Sequence, residues 1–198
     1  MMDTPTKAGM STSRPERANF RSFQESTKED WSLIMRHIGA TQDMVADNAL
    51  YLLRRLESDH GGFPVTRLEH SLQTATRAEA DGRDEEYVVC ALLHDIGDTL
   101  APFNHPYIAS AMVKPLVSEA NHFMVAQHGI FQGYYFWHHI GLDQNAREAF
   151  RESPYFEYTE EFCAKYDSPA FDPDYSSAPL EHFEPMVRRL FADRSRTQ

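Results

Sequence analysis

Six side chains in this sequence carry groups able to hold a metal ion: His70, the adjacent pair His94-Asp95, His105, His128 and Asp167. Imidazole and carboxylate donors without paired thiolates suit iron, manganese, zinc or another first-row ion, and not a structural zinc site built from four thiolates. Six donors exceed what one open catalytic ion takes. They fit two ions if Asp95 bridges, with His70, His94 and Asp167 completing one sphere and His105 and His128 the other. Asp95 is then the candidate catalytic residue, because it is the group shared by both ions.

These donors converge only if helices deliver them. His94-Asp95 ends an apolar run, Val88-Val-Cys-Ala-Leu-Leu93, for which Asp84 is a plausible N-cap and Glu85 and Glu86 suit the positive helix start. A run so apolar predicts a buried helix, and a polar pair carried inside needs compensation. His70 stands 24 residues before His94, on a helix predicted over Arg67 to Ala80, so two antiparallel helices place the residues side by side. Pro102 and Pro106 bracket an irregular segment that leaves His105 at the start of a helix ending near Val113. His128 lies in the aromatic stretch Val117 to Trp137, and Thr159 to Tyr166 predicts a helix leading into Asp167. The apolar residues of Leu180 to Ala192 predict a closing helix, after a Pro, Asp and Ser-rich loop over Ser168 to Pro179. Asp143 to Phe150 predicts a short helix.

Toward the N-terminus, Ser26 and Glu29 have capping-box spacing before a stripe of Trp31, Ile34, Met35 and Ile38. Thr41 is the expected cap of a second helix carrying Val45, Ala49, Leu50, Leu52, Leu53 and Leu56, which Gly61 and Gly62 end. Met1 to Gln24 is polar and aperiodic and is expected to be a disordered tail, leaving residues 25–198 as one domain. No alternation long enough to demand a sheet occurs, so the expected fold class is all-α.

The chain has 198 residues, 41% of them hydrophobic, and a net charge of −11. Such a surface neutralises few phosphates, which argues against nucleic acid and for a small-molecule substrate. Cys90 and Cys163 form no disulfide framework, and there is neither a signal core nor an apolar run long enough to span a membrane. A cytoplasmic protein without a membrane partner is expected.

The order His70, His94-Asp95 and distal Asp167 resembles the H...HD...D signature of the HD-domain superfamily, best known for metal-dependent phosphohydrolases. In local context, Leu68-Glu-His-Ser-Leu-Gln73 followed by Leu92-Leu-His-Asp-Ile-Gly97 is similar to the bacterial HD-domain oxygenases that cleave hydroxyphosphonates. Met124-Val-Ala-Gln-His-Gly-Ile-Phe131, Trp137-His138 and Glu161-Phe-Cys-Ala-Lys-Tyr-Asp167 resemble the final histidine and aspartate regions of myo-inositol oxygenase. The resemblance spans about Arg67 to Phe191. It implies an HD-domain helical bundle with a mixed-valent Fe(II)/Fe(III) pair on His70, His94, Asp95, His105, His128 and Asp167. It further implies O2 as co-substrate and cleavage of a C–C or C–P bond in a small hydroxylated substrate. All four electrons then come from that substrate.

The alternative is an HD-domain phosphohydrolase acting on a nucleotide or other phosphoester, where the same ligands serve as Lewis-acid scaffolding. A noncatalytic sensor that retains the site is a third reading. Candidate substrate-binding residues are Asp98, Gln132, Lys165 and Gln73. Asp98 and Gln132 stand where the phosphonate oxygenases carry basic residues, and Phe63 where they carry an acid, so an acidic group at 98 is expected to disfavour a phosphonate and favour a hydroxyl or ammonium group. His122 competes with His128 but faces differently on the helix; His138 and His139 either line the pocket or end the helix; His37, His60 and His182 have no assigned role.

Overall fold

A computed structural model of the protein describes residues 16–42, 44–58 and 61–193. Most of residues 1–24, the expected tail, lies outside the described residues, as does His60. Among the described residues every regular element is helical and no strand occurs. Nor is any helix among them long and apolar enough to cross a membrane. The fold is all-α.

The chain divides into two compact units, Met1–Met44 and Val45–Gln198. In the first, a short 3-10 turn at Phe23–Glu25 precedes α1, Lys28–Gln42. The capping box forms one residue later than Ser26 and Glu29 would place it. Thr27 N–H donates to Asp30 Oδ2 at 2.9 Å, and Asp30 N–H donates to Thr27 Oγ1 at 3.2 Å. Ser26 instead accepts from the Trp31 indole at 2.9 Å. Thr41 caps nothing: α1 runs through it, and its hydroxyl donates back to the His37 carbonyl at 3.0 Å.

The second unit holds α2 Val45–Arg55, α3 Arg67–Ala80, α4 Glu85–Leu93, α5 His105–Val113, α6 Glu119–Phe136, α7 Phe156–Phe162 and α8 Leu180–Ala192. Its centre is α4. Every residue from Tyr87 to Leu93 is buried, and the helix packs on α3, α6 and α8. Asp84 caps it through Tyr87 N–H at 2.9 Å, as its position predicts. The antiparallel partner α3 starts at a full capping box, with Thr66 N–H donating to Glu69 Oε2 at 2.6 Å and Glu69 N–H to Thr66 Oγ1 at 3.0 Å. On the other side α6 packs against α5 and α7, while α8 lies on α2 and α4. The segment expected as a helix over Asp143 to Phe150 is a 3-10 turn, Ala146–Phe150. Beyond α7 the chain widens into one π-helical turn, Cys163–Asp167, in which Ser168 N–H reaches back to the Cys163 carbonyl at 2.8 Å. Both cysteines are free and buried.

Because α4 is buried on all sides, truncating it leaves a void that its neighbours cannot close. Leu92→Ala is expected to lower unfolding free energy by about 2–5 kcal/mol, read from chemical denaturation.

Candidate metal centre

The six donors are carried to one point by five local devices. His70 lies in the first turns of α3, and His94 and Asp95 continue the end of α4 in a tight turn closed by Ile96 N–H to Leu93 O and Asp98 N–H to Asp95 O. His105 opens α5, His128 sits in the middle of α6, and the π turn after α7 ends on Asp167. An extra residue in a helical turn re-aims the side chain that follows it, which is how Asp167 comes to face the same point.

All four imidazoles are oriented alike. Nδ1 of His70, His94, His105 and His128 faces the main-chain carbonyls of Ala170, Ala91, Pro102 and Val125, at 3.1, 2.7, 2.6 and 2.8 Å. A carbonyl only accepts, so each Nδ1 carries the hydrogen and each Nε2 presents a lone pair inward. Those lone pairs meet in two couples, His70 with His94 at 3.1 Å and His105 with His128 at 3.2 Å. Two lone pairs at that distance repel unless a cation stands between them or a proton is taken up.

Asp95 stands between the couples. Its Oδ1 is 3.1 Å from both His105 Nε2 and His128 Nε2, and its Oδ2 is 3.4 Å from His70 Nε2 and 3.5 Å from His94 Nε2. Asp167 Oδ1 joins the first couple, 3.2 Å from His70 and 3.6 Å from His94, while its buried Oδ2 has no hydrogen-bond partner. His70, His94 and Asp167 form one group with ligand atoms within 4.8 Å of one another, and His94, Asp95 and His128 form another. An orphaned carboxylate oxygen, facing lone pairs and a doubly shared carboxylate fit two cations in adjoining positions.

The electrostatics of the ligand set agree. Burial opposes charge on His94, yet the Asp95 and Asp167 carboxylates outweigh it and push its pKa up to about 9. Burial likewise works against the two carboxylates, but the charge on His94 and hydrogen bonds from the facing imidazoles hold both below the usual carboxylate range. Burial is the largest single influence on His105 and lowers it, but the hydrogen bond and charge of Asp95 together with the Pro102 carbonyl outweigh it and raise the pKa, whereas burial dominates at His128 and lowers it. The raised pKa of His94 makes it a group at which a proton and a metal ion would compete.

The substrate-binding candidates fare differently. Gln132, one turn beyond His128, donates through Nε2 to Asp167 Oδ1 at 2.7 Å, so its amide supports a ligand. Asp98 is buried close to the cluster, with Oδ1 3.6 Å from His105 Nδ1, but it is ion-paired with Arg67. Its charge is compensated, and the expectation that it selects an ammonium group does not follow. Gln73 spends both ends of its amide on the loop beyond Asp167, donating to Asp172 O at 2.7 Å and accepting from Asp172 N–H at 3.3 Å. Lys165 points to the surface and pairs with Glu161 at 2.7 Å and Asp81 at 3.9 Å. Asp81 caps the far end of α3, roughly 16 Å along that helix from His70 at 1.5 Å per residue. Lys165 therefore stands away from the cluster, in a surface pocket with Arg77, Asp81 and Tyr175.

Four other histidines of the second unit belong to neither group. His122 is half-buried near Lys114, His138 and His139 are exposed with their rings tilted against each other and centroids 3.8 Å apart, and His182 pairs with Glu79 at 2.8 Å. Two neighbours were not foreseen. Phe171 stacks on His70 at 4.2 Å between ring centroids and on Phe63 at 5.2 Å, and Arg67 lies 5.8 Å over the Phe63 ring. Arg67 falls one turn before His70 on the same helix, a periodicity visible in the sequence, but its pairing with Asp98 is not.

Over 50 residues the chain is 52% identical to 1-hydroxy-2-(trimethylamino)ethylphosphonate dioxygenase (glycine-betaine-forming) of Leisingera caerulea. That stretch spans about a quarter of either protein, 25% of this chain and 26% of the relative. No protein-family model matches the chain.

Protons and metal compete for the same Nε2 lone pairs, so metal uptake should release protons. Calorimetry with Mn(II) near pH 7, in buffers of different ionisation enthalpy, should show at least one proton released per chain. Apparent affinity should rise by up to about tenfold per pH unit per proton released, and level off above the His94 pKa of about 9. A Cβ on Gly97 would lie 2.7 Å from the His105 carbonyl oxygen and 2.8 Å from Ile108 Cβ. Gly97→Ala should therefore destabilise the metal-free protein by about 1–3 kcal/mol in chemical denaturation.

Proposed function

We propose that this chain is a di-iron oxygenase of the HD-domain type, using O2 to cleave a C–P or C–C bond in a small hydroxylated substrate. The observation that carries this reading is Asp95, with one oxygen toward each of two imidazole couples. Asp167 completes the His70–His94 side, and Asp95 is the shared ligand. A pair of iron ions in this donor set supplies Lewis acidity and redox chemistry with dioxygen.

The chain's own groups do the rest. Main-chain carbonyls hold each imidazole in the tautomer that ligates, and Gln132 braces Asp167. His70, His94, His128 and Asp167 are buried, whereas Asp95 and His105 keep 16% and 21% of their side chains exposed. Substrate therefore has one side from which to approach, next to Asp95 and His105. The other side excludes water, which strengthens every electrostatic contact made there.

The similarity to a phosphonate dioxygenase supports the oxygenase reading over phosphoester hydrolysis and makes a hydroxyphosphonate the first substrate to test. Arg67 compensates Asp98, so the acid at that position does not by itself bar an anionic head group.

Anaerobic reconstitution with iron should load about two ions per chain and, on partial oxidation, yield the spectrum of a coupled Fe(II)/Fe(III) pair. O2 should then be consumed with 1-hydroxy-2-(trimethylamino)ethylphosphonate or a related hydroxylated compound. Asp95→Ala should abolish turnover. One ion per chain, or phosphate release from a nucleotide without O2, would sink the proposal.

A further inference from the structure

The two halves of the centre are not equally supported. His70, His94 and His128 have at most 3% of their side chains exposed and sit within or at the end of packed helices. His105 is the most exposed of the imidazoles at 21%, and the chain reaches it through a surface segment in which Thr99, Leu100, Pro102, Phe103 and Asn104 are all exposed. A ligand carried by such a segment needs a tie to the rigid part of the fold if its distance to Asp95 is to hold.

The tie is the ion pair of Arg67 with Asp98. Asp98 begins the surface segment and is buried, with Oδ1 3.6 Å from His105 Nδ1. Its other oxygen is held by Arg67 at the start of α3, the helix that carries His70. Arg67 in turn lies over Phe63, which stacks on Phe171, which stacks on His70. One arginine therefore touches both chains of contact, through Asp98 to His105 and through two aromatic rings to His70. Burying an Arg–Asp pair contributes little net stability compared with apolar packing. Its place across the two ligand sets accounts for it better as a device for orientation.

We propose that Arg67 and Asp98 are positioning residues for the second half of the centre. The pair holds His105 against Asp95 and so governs metal affinity on the His105–His128 side; Arg67 reaches His70 only through two intervening rings, and His70 has its own tie to the Ala170 carbonyl, so the His70–His94–Asp167 side keeps its affinity. This rests on the two-ion reading above.

The test is stepwise binding of Mn(II) and, anaerobically, Fe(II) to the full chain by calorimetry, together with metal content after gel filtration. The wild-type chain should take up two ions. Asp98→Asn and Arg67→Met should each weaken the second ion by about 10–100-fold, the usual cost of losing a group that orients a ligand. The first ion should bind as before. Arg67→Lys, which keeps the charge beside Asp98, should retain both. Thermal unfolding of the metal-free variants identifies any that fail to fold, and the other member of the pair then supplies the test. The inference is overturned if both ions bind normally in Asp98→Asn and Arg67→Met, if both weaken equally, or if Arg67→Lys behaves like Arg67→Met. A wild-type chain that takes up one ion overturns the two-ion reading and this inference with it, so the two failures are distinguished.

Discussion

Four inward lone pairs and two carboxylates occupy one largely buried point, and the rest of the structure is arranged around the charge they require. Each imidazole is turned by a carbonyl on its Nδ1 side, and these carbonyls come from α4, α6, the segment before α5 and the turn after Asp167. Without a compensating charge such an arrangement is costly in a protein interior. Protons on His94 and the depressed carboxylates of Asp95 and Asp167 describe the resting compensation. Metal ions are the compensation that the donor set fits.

The scaffold reaches this point through a division of labour. Buried along its whole apolar run, α4 acts as a fixed post for the adjacent donors His94 and Asp95. The hairpin with α3 sets His70 beside them, and the π turn re-aims the chain so that Asp167 closes that side. Ala170, just beyond the turn, accepts from His70, so one ligand's backbone neighbourhood orients another. The opposite side is built more loosely, from the start of α5 and the middle of α6, and it is where Asp95 and His105 remain accessible. The cluster thus has a closed half and a more accessible half.

Charge near the open half takes a form that single residues do not predict. Asp98 looks like a repulsive group until Arg67 is placed beside it, and Gln132 looks like a lost cation until its amide is seen donating to Asp167. Gln73 and Lys165, both plausible pocket residues by position, are committed elsewhere, one to the loop at Asp172 and one to Glu161 and Asp81.

The amino-acid sequence by itself determined the helices and most of what they carry. Apolar periodicity and caps placed α3, α4 and α8 close to their observed bounds, because those signals act within a turn or two of the chain. The donor residues were legible for the same reason, since residue type and helical position are local. Local signals failed where two neighbouring residues compete for one role: Thr27 with Asp30 took the cap that Ser26 and Glu29 spell equally well, and Thr41 was absorbed into α1. Only the tertiary structure decided which carboxylate oxygen faces which imidazole couple, that Arg67 neutralises Asp98, and that Phe171 braces His70. Apart from Asp95 and its neighbour His94, those relations join residues 10 to 101 positions apart and depend on side-chain directions set by packing among several helices, to which the spacing of residues along one chain is blind.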